Sequence, residues 1–209
     1  MSGKETVLGR IRSAVKDAPE LPPLEPTYRQ KSDKTRAAIL EEFVEIVTDY
    51  KATLQRCTEE NLNATIAAQL KERDVSSVLV PNGFPEDVLG GLELVRDTDL
   101  SPAELDEVEG VLTTCAVAIA QTGTIVLDGS AGQGRRAVTL VPDYHLCVVR
   151  AEQVVGLVPE AVGRLQNAVE QKRPLTFISG PSATSDIELS RVEGVHGPRV
   201  LDVILVERA

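Results

Sequence analysis

The sequence has no tryptophan, and only 3% of its 209 residues are aromatic. Proteins that bind single-stranded nucleic acid stack the bases on aromatic side chains, so this composition argues against that function class. The formal net charge of −10 argues against nucleic-acid binding in general, because neutralising phosphates needs a basic surface. Apolar runs are short as well: the run 203–206 is strand-sized, whereas a membrane helix needs about 18 apolar residues. We therefore expect no nucleic-acid partner and no membrane span.

Cysteine is scarce, and the three cysteines lie far apart in the sequence: Cys57, Cys115 and Cys147. An odd number without C-x-x-C spacing provides neither a disulfide framework nor a ligand set for zinc or an iron–sulfur cluster. We therefore expect buried free thiols, no metal site and no cofactor held by this chain. Residues 1–18 lack the continuous apolar segment of a secretory signal, so we expect a cytoplasmic protein.

Residues 1–33 differ from the rest of the chain in charge and in pattern. Residues 1–36 carry eight basic and five acidic side chains, a net charge of +3, so the remaining residues hold −13. Apolar side chains recur at helical spacing within 3–18, which predicts an amphipathic helix. The proline-rich stretch 19–26 cannot continue that helix and predicts an extended linker. The helix could fold back on its own domain, exchange with a second copy to form a homodimer, dock on a partner protein, or bind a membrane surface.

Residues 34–209 show the pattern of a single α/β domain. The spacing of apolar residues predicts helices at 34–49, 62–72 and 157–172, and Ser101 followed by Pro102 predicts the start of a short helix. Strands are predicted at 52–56, 76–80, 92–95, 111–120, 124–127, 137–141, 145–149, 175–179 and 200–206. Strands that alternate with helices favour a mainly parallel sheet flanked by helices. The closely spaced strands between 111 and 149 predict antiparallel hairpins, which form a β insertion in that sheet.

The first candidate site is the segment 177–188, where a predicted strand runs into Gly180-Pro181 and then into hydroxyl and carboxylate side chains. Gly180 can adopt backbone angles that other residues avoid, and Ser182 can cap a following turn. Free N–H groups at such a turn can bind an anion, and ligands of open α/β sheets bind beyond the carboxyl ends of the strands. The segment therefore predicts an anion site at the carboxyl edge of the sheet. Capping alone would also explain these residues.

A second candidate is His196, one of two histidines, in a glycine-flanked loop before the last predicted strand. Such a residue could act as a general base, hydrogen-bond a ligand, or tie down its loop. Arg136 and His145 each begin a predicted strand, and each could point into the same cleft or protect a sheet edge.

The third candidate is Thr122-Gly123-Thr124, which interrupts an apolar stretch. The interruption predicts a close approach of backbone or of a ligand at Gly123. The glycine-rich stretch 129–136 is not a nucleotide fingerprint, because a strand rather than a helix is predicted to follow it. We interpret this stretch as a flexible hairpin tip.

These motifs together resemble a known family. In order, the sequence contains 120–124, Arg136 with 140–142, His145, 177–182 with 186–188, and 196–198. This combination is similar to the LutC/YkgG family, the LUD (lactate utilisation) domain, over residues 35–207. The resemblance implies a fold similar to the NagB/RpiA/CoA-transferase-like α/β group, which agrees with the pattern of elements above.

The resemblance also implies a role. Members of this family are similar to the small subunit of a three-protein system that oxidises L-lactate to pyruvate, in which the partner subunits carry the iron–sulfur clusters. Our first hypothesis is a subunit of this kind that binds a small carboxylate or phosphate. The residues expected to bind the ligand are Thr122, Gly123, Thr124, Arg136, His145, Gly180, Pro181, Ser182, Asp186, His196 and Gly197. The candidates for a catalytic role are His145, His196, Asp186 and Glu188.

Two alternatives belong to other function classes. The chain could be a stand-alone enzyme with a CoA-transferase-like fold, in which Glu188 is a covalent nucleophile or the cleft binds a nucleotide or folate. It could also be a binding or regulatory module without catalytic activity.

Overall fold

The computed structural model describes residues 3–16, 27–85, 94–181, 183–184, 192–193 and 196–208. The helices in these ranges are α1 (Gly3–Val15), α2 (Arg36–Asp49), α3 (Leu62–Glu72), α4 (Pro102–Asp106) and α5 (Val158–Glu170). The strands are β1 (Thr53–Thr58), β2 (Val78–Val80), β3 (Leu94–Arg96), β4 (Gly110–Thr114), β5 (Val117–Ile119), β6 (Thr124–Leu127), β7 (Tyr144–Arg150), β8 (Val154–Val155), β9 (Thr176–Ile178), β10 (Ala183–Thr184), β11 (Val192–Glu193) and β12 (Val200–Glu207). The helix predicted at 62–72 is confirmed at both of its ends.

Six parallel strands form the main sheet, in the order β1-β12-β7-β4-β2-β3. The strands β7 and β12 lie inside it and are buried along nearly their whole length. Such continuous burial is typical of parallel strands that are covered on both faces. The predicted fold class, a mainly parallel sheet flanked by helices, is confirmed.

Two helices cover opposite faces of the main sheet. Helix α2 begins after its N-cap Thr35 and packs against Cys147 and Val203. Helix α3 packs against Leu146 and Ile204, which are the immediate neighbours of Cys147 and Val203 on the same strands. Successive side chains of a strand point to opposite faces, so β7 and β12 supply both hydrophobic clusters.

A second sheet of four strands has the order β8-β5-β6-β9. Strands β5 and β6 form an antiparallel hairpin, β9 is antiparallel to β6, and β8 is parallel to β5. One face joins the α2 cluster through Ile125 and Leu127, and α5 covers the other face. The predicted antiparallel insertion is confirmed for β5 and β6.

Three predictions about the middle of the chain are wrong. The strand predicted at 111–120 is two strands, because the chain passes from the main sheet to the second sheet at Cys115 and Ala116. The strand predicted at 137–141 is instead a 3₁₀ helix, Arg136–Thr139, so Arg136 does not begin a strand. Burial of Val138 in a cluster with α4 outweighs the β propensity of this segment. The strand predicted at 145–149 exists as β7, but it is parallel rather than part of a hairpin.

The glycine-rich stretch 129–136 is not an exposed hairpin tip, contrary to our interpretation. Gln133 is buried, and its side-chain oxygen accepts a hydrogen bond of 2.6 Å from the N–H of Asp128. The N–H of Gly132 donates to the carbonyl of Asn82 at 2.9 Å, which ties the stretch to the turn after β2. The turn after β2 needs a glycine at position 83, because a Cβ on Gly83 would lie 2.7 Å from the Cβ of Ala131.

The helix predicted at 3–18 is confirmed as α1, which ends at Val15 and has no buried residue. Lys16, directly after α1, forms a turn. The linker predicted at 19–26 lies outside the described residues. No helix in the described ranges is long and apolar enough to cross a membrane.

Candidate functional site

A cavity of about 210 Å³ lies where the second sheet meets the main sheet. His145 is the second residue of β7, and His196, Gly197 and Pro198 come just before β12, so the cavity lies at the amino ends of these strands. The residues that line it are Arg136, Thr139, His145, Thr176, Phe177, Ile178, Ser179, Gly180, Pro181, His196, Gly197, Pro198 and Leu201.

The predicted position of the cleft, at the carboxyl edge of the main sheet, is therefore wrong. The loop 179–181 does follow the carboxyl end of a strand, but that strand is β9 of the second sheet. A depression does exist at the carboxyl edge of the main sheet, and most of its charged lining is acidic: Glu59, Glu60, Glu152 and Glu207, with Arg150 and Arg208. Arg150 is paired there with Glu59 at 2.7 Å. An anion would meet repulsion at that edge.

Arg136 brings a positive charge to the cavity. Its Nη1 donates to the carbonyl of Thr139 at 2.9 Å, and its Nη2 donates to the carbonyl of His196 at 2.9 Å. Partial burial lowers the pKa of Arg136, but a guanidinium remains protonated at physiological pH. Its hydrogen-bond acceptors among the described residues belong to Thr139 and His196, and neither is a carboxylate. An anionic ligand in the cavity could accept charge-assisted hydrogen bonds from this guanidinium.

His145 is almost completely buried at the cavity, with a relative exposure of 1%. Its Nε2 lies 2.8 Å from the hydroxyl oxygen of Thr113 on β4. Strand β7 lies between β12 and β4, so His145 does not protect a sheet edge, and that alternative is wrong. The contact with Thr113 therefore holds a side chain that lines the cavity.

The loop with His196 is fixed through its backbone. Arg136 binds the carbonyl of His196, and the buried Gly197 has a φ of +154°, which favours glycine. His196 is an exposed residue and lines the cavity. The loop is thus tied down by Arg136, and its histidine can also contact a ligand.

Thr122, Gly123 and Thr124 are not among the residues that line the cavity. The close approach predicted at Gly123 is made by side chains of α2 and its C-cap: a Cβ there would lie 2.8 Å from atoms of both Ile46 and Tyr50. The Thr124 hydroxyl lies 2.7 Å from that of Thr122 and 2.8 Å from that of Ser179, which does line the cavity. This motif therefore supports the wall of the site through a chain of hydroxyl groups.

The structure brings together six of the predicted site residues: Arg136, His145, Gly180, Pro181, His196 and Gly197. Ser182, Asp186 and Glu188 lie outside the described residues, so their roles stay predictions. The sequence reasoning missed Thr113, Thr139 and Tyr50. If the pairing of β4 with β7 had been predicted, it would have placed Thr113 beside β7, because Thr113 lies opposite Cys147 in the register. Within the described part of the chain, no group of three or more His, Cys, Asp or Glu side chains could hold a metal ion.

Comparisons with known proteins agree on one family. A model of the LUD domain matches residues 102–206. "Lactate utilization protein C" of Deinococcus radiodurans is 49% identical over 87% of this chain and 85% of that protein. The uncharacterised protein YkgG of Escherichia coli is 28% identical over 79% of this chain and 78% of its own length. A crystal structure of a DUF162 family protein from Deinococcus radiodurans matches with a TM-score of 0.74 and 44% identity, over 83% of this chain and 99% of that chain.

Proposed function

Because this chain belongs to the LUD domain family, we propose that it acts in lactate utilisation and binds a small carboxylate in the cavity at Arg136. In this proposal it is a subunit of a system that oxidises L-lactate to pyruvate. The relative that is named lactate utilization protein C supports the metabolic role. The cavity supports the class of ligand.

The charge of Arg136 is the observation that supports a carboxylate as the ligand. The described partners of its guanidinium are uncharged, whereas the protein as a whole has a net charge of −10. A carboxylate can accept charge-assisted hydrogen bonds from the N–H groups that the carbonyls leave free. The hydroxyl of Ser179 and the imidazole of His145 line the same cavity and can bind the substituent on the second carbon.

Oxidation of L-lactate to pyruvate releases two electrons and two protons. Iron–sulfur clusters of partner subunits would accept the electrons in this proposal. The residues of this chain would bind the carboxylate, orient the hydroxyl and hold a proton at an imidazole nitrogen.

Titration calorimetry with L-lactate and pyruvate tests the ligand. We expect binding to wild-type protein and at least a roughly tenfold weaker affinity for Arg136→Gln, because a hydrogen bond to a charged group contributes about 1.5–3 kcal/mol. Arg199→Gln is the matched control, since Arg199 is exposed and its described ion pair is with Asp143 outside the cavity. Equal affinity in wild type and Arg136→Gln would contradict the proposed site.

Growth tests the metabolic role. Deleting the gene from its own host should prevent growth on L-lactate and leave growth on glucose intact. A copy with Arg199→Gln should restore growth on L-lactate, whereas Arg136→Gln should restore it poorly. Normal growth of the deletion strain on L-lactate would contradict the role.

A further inference from the structure

An edge of the second sheet forms part of the cavity wall. Strand β9 is the last strand in the order β8-β5-β6-β9, and among the described residues it pairs with β6 alone. All three residues of β9 line the cavity, together with 179–181. Side chains of a strand alternate between its two faces, so a cavity over one face would be lined by every second residue. The consecutive lining indicates that the cavity meets the open edge of β9, where the backbone is presented.

The hydrogen bonds of β6 decide which backbone groups of β9 point to this edge. The carbonyl of Val126 accepts a hydrogen bond of 2.9 Å from the N–H of Ala116, directly before β5, so the backbone groups of Val126 point towards β5. Within an antiparallel strand, the N–H and C=O of one residue point the same way, and successive residues alternate. The residues on either side of Val126 therefore point their groups to β9, where they lie opposite Thr176 and Ile178.

Phe177 is thus left with its backbone facing the open edge. Thr176 and Ile178 use their N–H and C=O groups in the pairing with β6, so Phe177, between them, points both of its groups the other way. Within the described ranges, these two groups have no loop or turn as a hydrogen-bond partner. The open edge therefore presents one donor and one acceptor, side by side, to the cavity that Phe177 lines.

We propose that the backbone of Phe177 binds both polar groups of a 2-hydroxy acid: its N–H donates to the carboxylate, and its C=O accepts the proton of the hydroxyl group. This inference rests on the proposed function for the identity of the ligand. The carboxylate and the neighbouring hydroxyl of L-lactate are an acceptor and a donor, the complement of the two backbone groups. The oxo group of pyruvate has no proton for the C=O, so the site should favour the hydroxy acid.

The rest of the cavity favours a small acid over an added peptide strand. Its volume is about 210 Å³, and Arg136, His196 and Pro198 line it together with β9. Strand addition needs an open edge along several residues, whereas β9 has only three. A carboxylate that is bound at the N–H of Phe177 lies in the same cavity as the guanidinium of Arg136, and its two oxygens can accept hydrogen bonds from both.

Amide hydrogen exchange of the ligand-free protein, followed by NMR, tests the direction of the backbone. We expect the N–H of Phe177 to exchange at least roughly tenfold faster than those of Thr176 and Ile178, which are bonded to β6. Equal protection of the three amides would overturn the inference. Protection of Phe177 that appears only at high protein concentration would assign the edge to a strand of a second copy, and would overturn the inference as well.

Addition of L-lactate tests the ligand. We expect it to slow the exchange of the Phe177 N–H and to shift the amide and carbonyl signals of Phe177 in proportion to the occupancy measured by calorimetry. Saturation with L-lactate that leaves these signals unchanged would overturn the inference. Failure of both L-lactate and pyruvate to bind would instead remove the proposed function and the ligand with it, whereas the exchange pattern of the ligand-free protein would still establish the open donor and acceptor.

The preference between the two acids tests the role of the C=O. Wild-type protein should bind L-lactate roughly 3- to 10-fold more tightly than pyruvate, the effect of one hydrogen bond. Calorimetric titration of the same protein preparation with each acid measures this ratio. Equal affinities for the two acids would overturn the role of the C=O.

A pair of variants at one position tests the N–H. Phe177→Pro removes this donor, and proline is tolerated in an edge strand where the N–H faces away from the neighbouring strand. Phe177→Ala is the matched reference, because it loses the same ring and keeps the N–H. We expect Phe177→Pro to bind both acids roughly tenfold more weakly than Phe177→Ala, the effect of a hydrogen bond to a charged group. Equal affinities of the two variants would overturn the role of the N–H.

The stability of the proline variants supplies a further check. Ile178→Pro removes an N–H that is bonded to β6, so it should lower the melting temperature more than Phe177→Pro does. A Phe177→Pro variant that is as unstable as Ile178→Pro would show that the N–H of Phe177 is bonded within the sheet, and would overturn the inference.

Discussion

Tyr50 connects three parts of the structure through a single side chain. It is the C-cap residue of α2, and its hydroxyl donates to the carbonyl of Gly123 at 2.7 Å. Its ring also lies against Gly180, where a Cβ would come within 3.2 Å of Tyr50 Cδ2. Gly123 belongs to the turn between β5 and β6, and Gly180 lines the cavity. Tyr50 therefore fixes the loop after β9 relative to α2.

Replacing Tyr50 by Phe tests this role at the residue scale. The variant keeps the ring but leaves the carbonyl of Gly123 without its donor, so the free energy of unfolding should fall by about 1–3 kcal/mol. Urea denaturation followed by circular dichroism measures the change. Tyr28→Phe is the control, because Tyr28 is exposed and should have little effect. Equal stability of Tyr50→Phe and wild type would show that the hydrogen bond does not stabilise the fold.

At the scale of elements, a buried carboxylate joins α3 to the main sheet. Asp202 on β12 is almost completely buried and accepts from Gln69 at 2.8 Å and from the hydroxyl of Tyr144 at 3.1 Å. Arg73, the C-cap residue of α3, binds both carboxylate oxygens, at 2.7 and 2.8 Å. A buried charge needs such partners, because burying it unpaired costs several kcal/mol.

Arg73→Met should therefore destabilise the protein by about 2–3 kcal/mol, less than for a fully buried pair because Arg73 itself is partly exposed. Chemical denaturation of Arg73→Met, with Arg199→Met as a surface control, measures this effect. The double variant Arg73→Met/Asp202→Asn removes the charge along with its partner and should recover part of the loss. A double variant that is no more stable than Arg73→Met would contradict this account of the pair.

The elements were predictable where the periodicity of the sequence is unambiguous. Helix α3 was predicted at both ends, because its apolar residues repeat at helical spacing and the next residues end the pattern. The passage from β4 to β5 was missed, because Cys115 and Ala116 are small apolar residues without a turn signature. Local pattern also does not tell which sheet a strand joins, so β7 was assigned to a hairpin.

Three of the residues that the family motifs singled out, Arg136, His145 and His196, line one cavity in the structure. Their role in binding a ligand stays a prediction. The prediction that the cleft lies at the carboxyl edge of the main sheet was wrong. It followed the rule that ligands of open α/β sheets bind beyond the carboxyl ends of the strands, and that rule does not account for a second sheet next to the amino ends. Thr113 and Tyr50 were missed because their contacts are made between strands and helices that are distant in sequence.

At the scale of the whole molecule, α1 contributes no buried residue. Its apolar side chains Val7, Ile11 and Val15 are more than half exposed. The hydrophobic clusters of the two sheets are formed by residues from Ile39 onward. The fold described here therefore does not need α1 for its stability.

Removing residues 1–26 should leave the free energy of unfolding within about 0.5 kcal/mol of that of the full chain, the usual range for changes on the surface. Thermal and urea denaturation of the two proteins, compared at the same concentration, measure the difference. If α1 exchanges between two copies, sedimentation would show a smaller species after truncation. A large loss of stability in a truncated monomer would show that α1 packs on its own domain.

The order of strands in the main sheet has a consequence for how the protein is made. In the described part of the chain, β1 pairs with β12, and Thr53 lies opposite Asp202. β12 lies between β1 and β7. As the ribosome releases the chain, β1 emerges long before β12 has been translated. Until then β1 lacks its described partner and β7 can pair only with β4, so the edges that β12 will fill stay open, and an open strand edge can pair with another chain. The sheet closes only when β12 inserts between them, so the last strand of the chain completes the centre of the fold rather than its edge.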